Sequence, residues 1–141
     1  MYVLHYAPDN ASLAVRLALE ELGLPYRTAL VDRARQAQEG AAYRAVTPTG
    51  LIPALETPNG VIFETGAILL WLADRYGGLA PAPDAPARGD FLKWFFLTAN
   101  TLHPDLLALF YPHRYAGADK AGHRALTEDR ILRSLAMLDA A

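Results

Sequence analysis

The chain has 141 residues, of which 52% are hydrophobic and 20% charged, so it is long and apolar enough to fold around a core. Its net charge of −2, from 13 basic and 15 acidic residues, argues against a nucleic-acid partner or an anionic membrane surface. It contains no cysteine, which excludes disulfides, thiolate metal sites, a redox dithiol and a cysteine nucleophile.

The first quarter of the chain alternates between strand-like and helix-like patterns. A short β-prone run stops at Pro8, alanine and leucine then recur at helical spacing, and Gly23 ends that helix. A second β-prone run is followed by a polar, alanine-rich segment that favours a short helix. The predicted order is strand, helix, strand, helix, with bounds near residues 2–6, 11–22, 26–31 and 35–45.

The stretch TPTGLIPALETPNG, residues 47–60, places Pro53 inside an apolar run that otherwise resembles a buried strand. Proline has no N–H for a sheet ladder, so a central strand position disfavours it. A cis Ile52–Pro53 bond, which costs only about 0.5–1 kcal/mol, would turn the Ile52 backbone outward to pair with a peptide ligand. An ordinary trans proline on an edge strand fits the spacing equally well.

The remaining elements of the first part are a hairpin and a helix. The turn Pro58-Asn59-Gly60 joins residues 54–56 to residues 61–63, and Thr65 can cap a helix that reaches Tyr76. Residues 1–78 thus have the order β-α-β-α-β-β-α. This is the arrangement of the thioredoxin fold.

The second part of the chain is predicted to be entirely helical. Residues 79–87, LAPAPDAPA, hold three prolines without periodicity and indicate a linker. Two helical segments follow, near residues 88–111 and 119–139. We therefore predict a first domain at residues 1–78, a linker at 79–87 and a helical domain at 88–141. Pro104 should bend the first of these helices and disfavour a helical conformation for His103.

Neither a membrane segment nor a metal site is predicted. The longest apolar run, residues 67–73, is too short to span a bilayer, and the first residues, MYVLHYAP, show neither the basic region nor the long apolar stretch expected of a secretory signal. The four histidines show no i, i+4 pairing of the kind that binds zinc. We expect a cytoplasmic protein.

Four stretches together resemble the glutathione S-transferase family, most closely its bacterial beta class. They are YAPDNASLA, AYRAVTPTGLIPALETPNG, FETGAILLWLADRY and NTLHPDLLALF, at residues 6–14, 42–60, 63–76 and 100–110. The resemblance implies a thioredoxin-like domain that binds glutathione as co-substrate and a helical domain that supplies the pocket for a small hydrophobic electrophile. It also implies a homodimer and a role in detoxification.

The resemblance assigns glutathione-binding roles to residues of the first domain. Ile52, before Pro53, matches the position whose backbone pairs with the cysteinyl part of glutathione. Glu64 and Thr65 match the pair that holds the γ-glutamyl end, where a carboxylate meets the ammonium group and a helix N-terminus meets the carboxylate. Thr65 as a simple helix cap remains the alternative.

Two further positions carry weaker assignments, and one departs from the family pattern. Arg35 falls near a basic position used for the glycyl carboxylate, although a solvated surface arginine is an equal alternative. Tyr6 matches a residue near the glutathione site, while packing is the alternative for an aromatic at a strand end. Leu51 departs from the usual Lys or Gln, at a cost of around 1 kcal/mol of hydrogen bonding.

The beta-class cysteine that forms a mixed disulfide with glutathione is replaced here by Ala11. The next residue, Ser12, stands four before Arg16, a spacing that resembles the serine-using classes of the family. Its hydroxyl could donate to the glutathione sulfur, with help from the helix N-terminus. A capping role for Ser12 is the alternative.

His103 matches a beta-class histidine on the first helix of the second domain, and Asn100 lies one turn before it. The resemblance implies that His103 bonds the thiol or meets the electrophile, with Asn100 nearby in the glutathione site. A structural histidine that satisfies a freed carbonyl beside the proline is the alternative.

Two functions from different classes fit these observations. The first is a glutathione transferase whose Ser12 hydroxyl activates the thiol. The second is a noncatalytic binding or scaffold protein of the same fold, favoured by the absent cysteine, by Leu51 and by a helical domain that is short for the family. The helix at 91–109 has more apolar surface than one partner helix can cover, so either a homodimer hides it or the chain belongs to a longer protein.

Overall fold

The computed structural model describes all 141 residues and divides into two compact units, residues 1–85 and 86–141. The first is built on a four-stranded sheet with the strand order β2-β1-β3-β4. The strands are β1 (Tyr2–Tyr6), β2 (Tyr26–Leu30), β3 (Ala54–Thr57) and β4 (Gly60–Phe63). β1 and β2 are parallel, whereas β1 and β3 and the β3–β4 hairpin are antiparallel.

Two helices pack against the sheet, α1 (Ser12–Glu21) and α3 (Thr65–Tyr76). Alternation in β1 sends Tyr2 and Leu4 to the same side, where both join the hydrophobic core of the unit. The other buried members of that core come from the two helices and β3: Val15, Ala18, Leu19, Leu55, Ile68 and Leu72. Each such aliphatic side chain stabilises the fold by roughly 1.5–3 kcal/mol relative to leaving it exposed.

The segment between β2 and β3 is less helical than its composition predicts. Two 3₁₀ turns, Arg33–Arg35 and Ala37–Glu39, precede a single helical turn, α2 (Ala41–Arg44). Gln36 separates the two turns in a left-handed conformation with φ of 54°. The expected helix at 35–45 is therefore reduced to its last turn. The element order β-α-β-α-β-β-α of the thioredoxin-like fold is nonetheless confirmed.

The second unit is all-helical, as predicted. Its elements are α4 (Arg88–Leu97), a π-helical turn (Thr98–Leu102), α5 (His103–Phe110), α6 (Pro112–Tyr115) and α7 (Lys120–Asp139). No helix of the chain combines the length and the apolar character that crossing a bilayer would require.

The sequence prediction for His103 was wrong, because this residue is helical with φ of −64° and ψ of −44°. Its N–H donates to the carbonyl of Thr98, five residues earlier, so the backbone is widened immediately before Pro104. A widened turn makes room for the proline ring and removes the clash that would otherwise end the helix. The proline is thus accommodated without a break between the π-helical turn and α5.

Candidate functional site

One edge of the sheet collects most of the residues singled out in the first unit. Ala54, the first residue of β3, lies opposite both His5 of β1 and Phe63 of β4. The residues just beyond these three partners are Pro53, Tyr6 and Glu64, so all three lie at the same edge. β2 ends there too, because the Val31 N–H donates to the Tyr6 carbonyl at 2.8 Å.

Ile52 and Pro53 bring the chain to this edge. The Ile52–Pro53 bond is cis, Pro53 is buried and Ile52 is half-buried. Ladder pairing of β3 with β1 starts only at Ala54, and Ile52 takes part in none of the backbone hydrogen bonds of the neighbouring turns. Its N–H and C=O therefore remain open to a main-chain partner.

Glu64 and Thr65 lie at the start of α3, directly after β4. Glu64 occupies the capping position and is exposed, while Thr65 is the first helical residue and is half-buried. The expectation that Thr65 itself caps the helix was wrong by one residue, and no side chain caps this N-terminus. The first N–H groups of α3 consequently have no side-chain acceptor, which suits an anionic ligand.

Glu64 has a backbone conformation that is unusual for a side-chain-bearing residue. Its φ is 72° and its ψ is 120°. Such a conformation costs about 1–3 kcal/mol and is found most often where function fixes it. The conformation places the carboxylate at the junction of β4 and α3.

Ser12 begins α1 but its hydroxyl is already engaged. The residue is 2% exposed, and its Oγ donates to the carbonyl of Ala7 at 3.2 Å. The N-cap residue of the helix is Ala11, and the Ser12 N–H donates to Asn10 Oδ1 at 2.9 Å. The Ser12 hydroxyl therefore does not cap the helix. It could donate a hydrogen bond to a sulfur atom only by giving up its bond to the Ala7 carbonyl.

Tyr6 and Arg35 lie close to the same edge in sequence but differ in environment. Tyr6 is half-buried and packs against the hydrophobic core. Arg35 is in the 3₁₀ turn after β2, where its side chain is 88% exposed and its Nε is 3.5 Å from Asp32 Oδ2. These environments fit the alternatives in which Tyr6 serves packing and Arg35 is a surface arginine.

Asn100 and His103 belong to the second unit. Asn100 is exposed within the π-helical turn, and His103, the first residue of α5, is half-buried. The two residues are three positions apart, so they lie on successive turns of one continuous helical segment.

Sequence reasoning missed Tyr43, the residue that anchors the loop leading to Ile52. Tyr43 lies in α2, is 6% exposed, and donates its hydroxyl hydrogen to the Leu51 carbonyl at 2.8 Å. In the sequence it is one aromatic residue in an alanine-rich segment, which suggests packing only. No sequence signal identifies its hydroxyl partner.

Comparison with known proteins identifies a family to which the chain is similar. The family model described as glutathione S-transferase, N-terminal domain, matches residues 11–75. The matched residues lie in the first unit, which has the thioredoxin-like fold expected of that domain. The resemblance to that family, predicted from the four sequence stretches, is thereby confirmed.

Relatives of this family cover both units of the chain. Glutathione S-transferase GstA from Escherichia coli O157:H7 is 34% identical over 114 residues, which are 77% of this chain and 56% of GstA. The structure of a glutathione transferase homolog from Sulfitobacter with bound glutathione has a TM-score of 0.85 and 28% identity. That comparison covers 98% of this chain and 68% of the homolog.

A relative of a different kind has the same fold. The nitrogen regulation fragment of the yeast prion protein Ure2p has a TM-score of 0.85 and 25% identity, covering 99% of this chain and 65% of the fragment. This chain spans only about half of the length of the curated relatives that it matches, between 50% and 60% for four of them.

Proposed function

We propose that the first unit binds glutathione at the edge of the sheet where Ile52, Glu64 and Thr65 meet. The observation that carries this proposal is the open backbone of Ile52 beside the uncapped N-terminus of α3. An extended peptide can add to such a backbone as a miniature strand, while its carboxylate accepts from the helix N–H groups. The bound glutathione of the Sulfitobacter homolog supports this choice of ligand.

The roles within this proposed site follow from the groups available. Ile52 pairs with the cysteinyl main chain beside Pro53, Glu64 answers the α-ammonium group and Thr65 holds the γ-glutamyl carboxylate. Arg35 meets the glycyl carboxylate through its exposed guanidinium. The loss of a polar residue at Leu51 is offset by charge-assisted bonds at the other end of the peptide.

The reaction we propose is transfer of the glutathione thiolate to a small hydrophobic electrophile. Ser12 would stabilise the thiolate by turning its hydroxyl from Ala7 to the sulfur. This exchange should lower the free energy of the complex. A hydrogen bond to a charged group contributes about 1.5–3 kcal/mol, whereas one to a neutral carbonyl contributes about 0.5–1.5 kcal/mol. The positive end of α1 adds to the effect. Tyr6 completes the wall of the site.

The second unit has a separate part in the proposal. His103, with Asn100 one turn away, would meet the electrophile. We further propose a cytoplasmic homodimer in which a second copy covers apolar side chains of the helical unit, such as Phe96 and Phe110, which are 46% and 72% exposed. Sedimentation as a monomer at micromolar concentration would contradict the dimer.

Replacing Ser12 with alanine tests the assignment of the thiolate donor. We expect the pKa of the bound thiol to rise by about one to two units, a loss of roughly 1.4–2.7 kcal/mol, because the thiolate loses its donor. The thiolate absorbance at neutral pH should fall while glutathione affinity remains nearly intact. His103→Ala should change the thiol pKa less and turnover more.

The control for this experiment is Ser134→Ala, which removes another serine that is 2% exposed, from the second unit. Both variants should lose stability to a similar degree, yet only Ser12→Ala should shift the thiol pKa. If Ser12→Ala lowers only the stability, and the thiol of bound glutathione titrates as in the unmodified protein, the hydroxyl serves only to bind the Ala7 carbonyl.

A second candidate is a noncatalytic protein of the same fold that binds glutathione or a protein partner. The engaged, buried hydroxyl of Ser12 favours this candidate, as does the similarity to a nitrogen regulation fragment, that of Ure2p. The two candidates are separated by turnover: saturable glutathione binding without conjugation of a panel of electrophiles would establish the second.

A further inference from the structure

The loop that delivers Ile52 to the edge of the sheet is held through the backbone of Leu51. The Leu51 N–H donates to Thr49 Oγ1 at 3.1 Å, and the Leu51 carbonyl accepts from the Tyr43 hydroxyl at 2.8 Å. The Leu51 side chain is 56% exposed and contributes little to anchoring. The two hydrogen bonds therefore decide where the next peptide group points.

The Tyr43 bond acts on the same peptide unit that carries the Ile52 N–H. Only the bond after Ile52 is cis, so the Leu51–Ile52 unit is trans and planar. In a trans unit the C=O and the N–H point in opposite directions. A phenol that holds the Leu51 oxygen on one side consequently aims the Ile52 N–H to the other.

We propose that Tyr43 is a positioning residue for peptide recognition, which holds the Leu51–Ile52 unit so that the Ile52 N–H meets a main-chain carbonyl of the bound peptide. This inference rests on the proposed function, in which Ile52 is the main-chain contact for glutathione. Tyr43 acts through Leu51 and does not itself touch the ligand.

The surroundings of Tyr43 suit this task. The ring is packed against the ring of His5, with centroids 5.6 Å apart, and only 6% of the residue is exposed, so the hydroxyl has little freedom to swing away. Burial raises the pKa of Tyr43 to about 12, and the hydroxyl therefore keeps its proton near neutral pH. A hydrogen bond to the carbonyl also polarises the amide and makes the Ile52 N–H a stronger donor.

Gly50 makes the geometry possible. Its φ is +65°, and a Cβ at this position would lie 2.8 Å from the backbone oxygen of Gln38. Only glycine adopts this turn while the loop passes so close to another backbone. The turn leads directly into Leu51, whose carbonyl then reaches the Tyr43 hydroxyl.

Tyr43→Phe removes the hydroxyl and keeps the ring. We expect the Kd for glutathione to rise by about three- to tenfold, since one neutral hydrogen bond that orders the contact is lost. The matched control is Tyr26→Phe, which removes a hydroxyl that donates to Glu20 Oε1 at 2.6 Å, away from this loop. The control should change the Kd by less than about twofold, within the small effect of most surface changes.

Amide chemical shifts provide a readout that a merely structural role would not move. On saturation with glutathione, the Ile52 amide proton should shift less in Tyr43→Phe than in the unmodified protein. The Thr65 amide should shift equally in both, because the γ-glutamyl end is held independently.

The possible outcomes distinguish failure of the proposed function from failure of the positioning role of Tyr43. If the unmodified protein shows no saturable glutathione binding, the proposed function fails and the positioning role fails with it. If the unmodified protein binds and Tyr43→Phe binds equally tightly with the same Ile52 shift, only the positioning role is overturned. Equal loss of the Ile52 and Thr65 shifts would indicate general loosening of the fold and would also overturn it.

Discussion

Glu64, at the edge of the sheet, has a backbone conformation that lowers stability and a proposed role in binding glutathione. Its positive φ of 72° costs about 1–3 kcal/mol for a residue with a Cβ. Glu64→Gly should therefore raise the free energy of unfolding by about 1 kcal/mol, after allowance for the greater chain entropy of glycine. The same change should weaken glutathione binding, since the carboxylate is lost.

A second substitution separates strain from charge at this position. Glu64→Gln keeps the strained conformation, so its stability should stay within about 0.5 kcal/mol of the unmodified protein, yet its glutathione affinity should fall as in Glu64→Gly. Urea unfolding and calorimetric titration of both variants measure the two effects. A loss of stability in Glu64→Gly, or full affinity in Glu64→Gln, would contradict this account of the residue.

Between elements, the clearest polar contact in the helical unit joins α5 to α7. Asp105 is only 5% exposed, and its carboxylate accepts from Arg130 Nε at 3.1 Å and from Arg130 Nη2 at 2.9 Å. Removing the arginine leaves a buried charge without a partner, whereas removing the charge of the aspartate leaves an arginine that water can solvate. Arg130→Ala should accordingly cost about 2–3 kcal/mol, and Asp105→Asn about 1 kcal/mol.

The matched control for this pair is Arg133→Ala, one turn further along α7. Arg133 contacts Asp129 at 2.8 Å on the exposed surface, so its loss should cost at most about 1 kcal/mol. Equilibrium unfolding of the three variants gives the ranking. Equal costs for Arg130→Ala and Arg133→Ala would show that burial of Asp105 does not govern the contact.

The order of elements was predictable because each boundary carries a local signal, such as the turn at Asn59-Gly60 or the Gly77 stop after α3. Segments without periodicity were not predictable: residues 33–39 form two 3₁₀ turns where composition favours a helix. The hydrogen-bond partners of Ser12 and Tyr43 could not be predicted either. Each bond joins residues five or eight positions apart through an irregular loop, where no repeat fixes the geometry.

For the whole molecule, the central claim is that the chain binds glutathione, and a titration followed by its two tryptophans, Trp71 and Trp94, tests this most directly. We predict a saturable change in fluorescence together with an increase in Tm. Glutathione at ten times its Kd should stabilise the folded state by about 1.4 kcal/mol. The absence of both effects at millimolar glutathione would contradict the account.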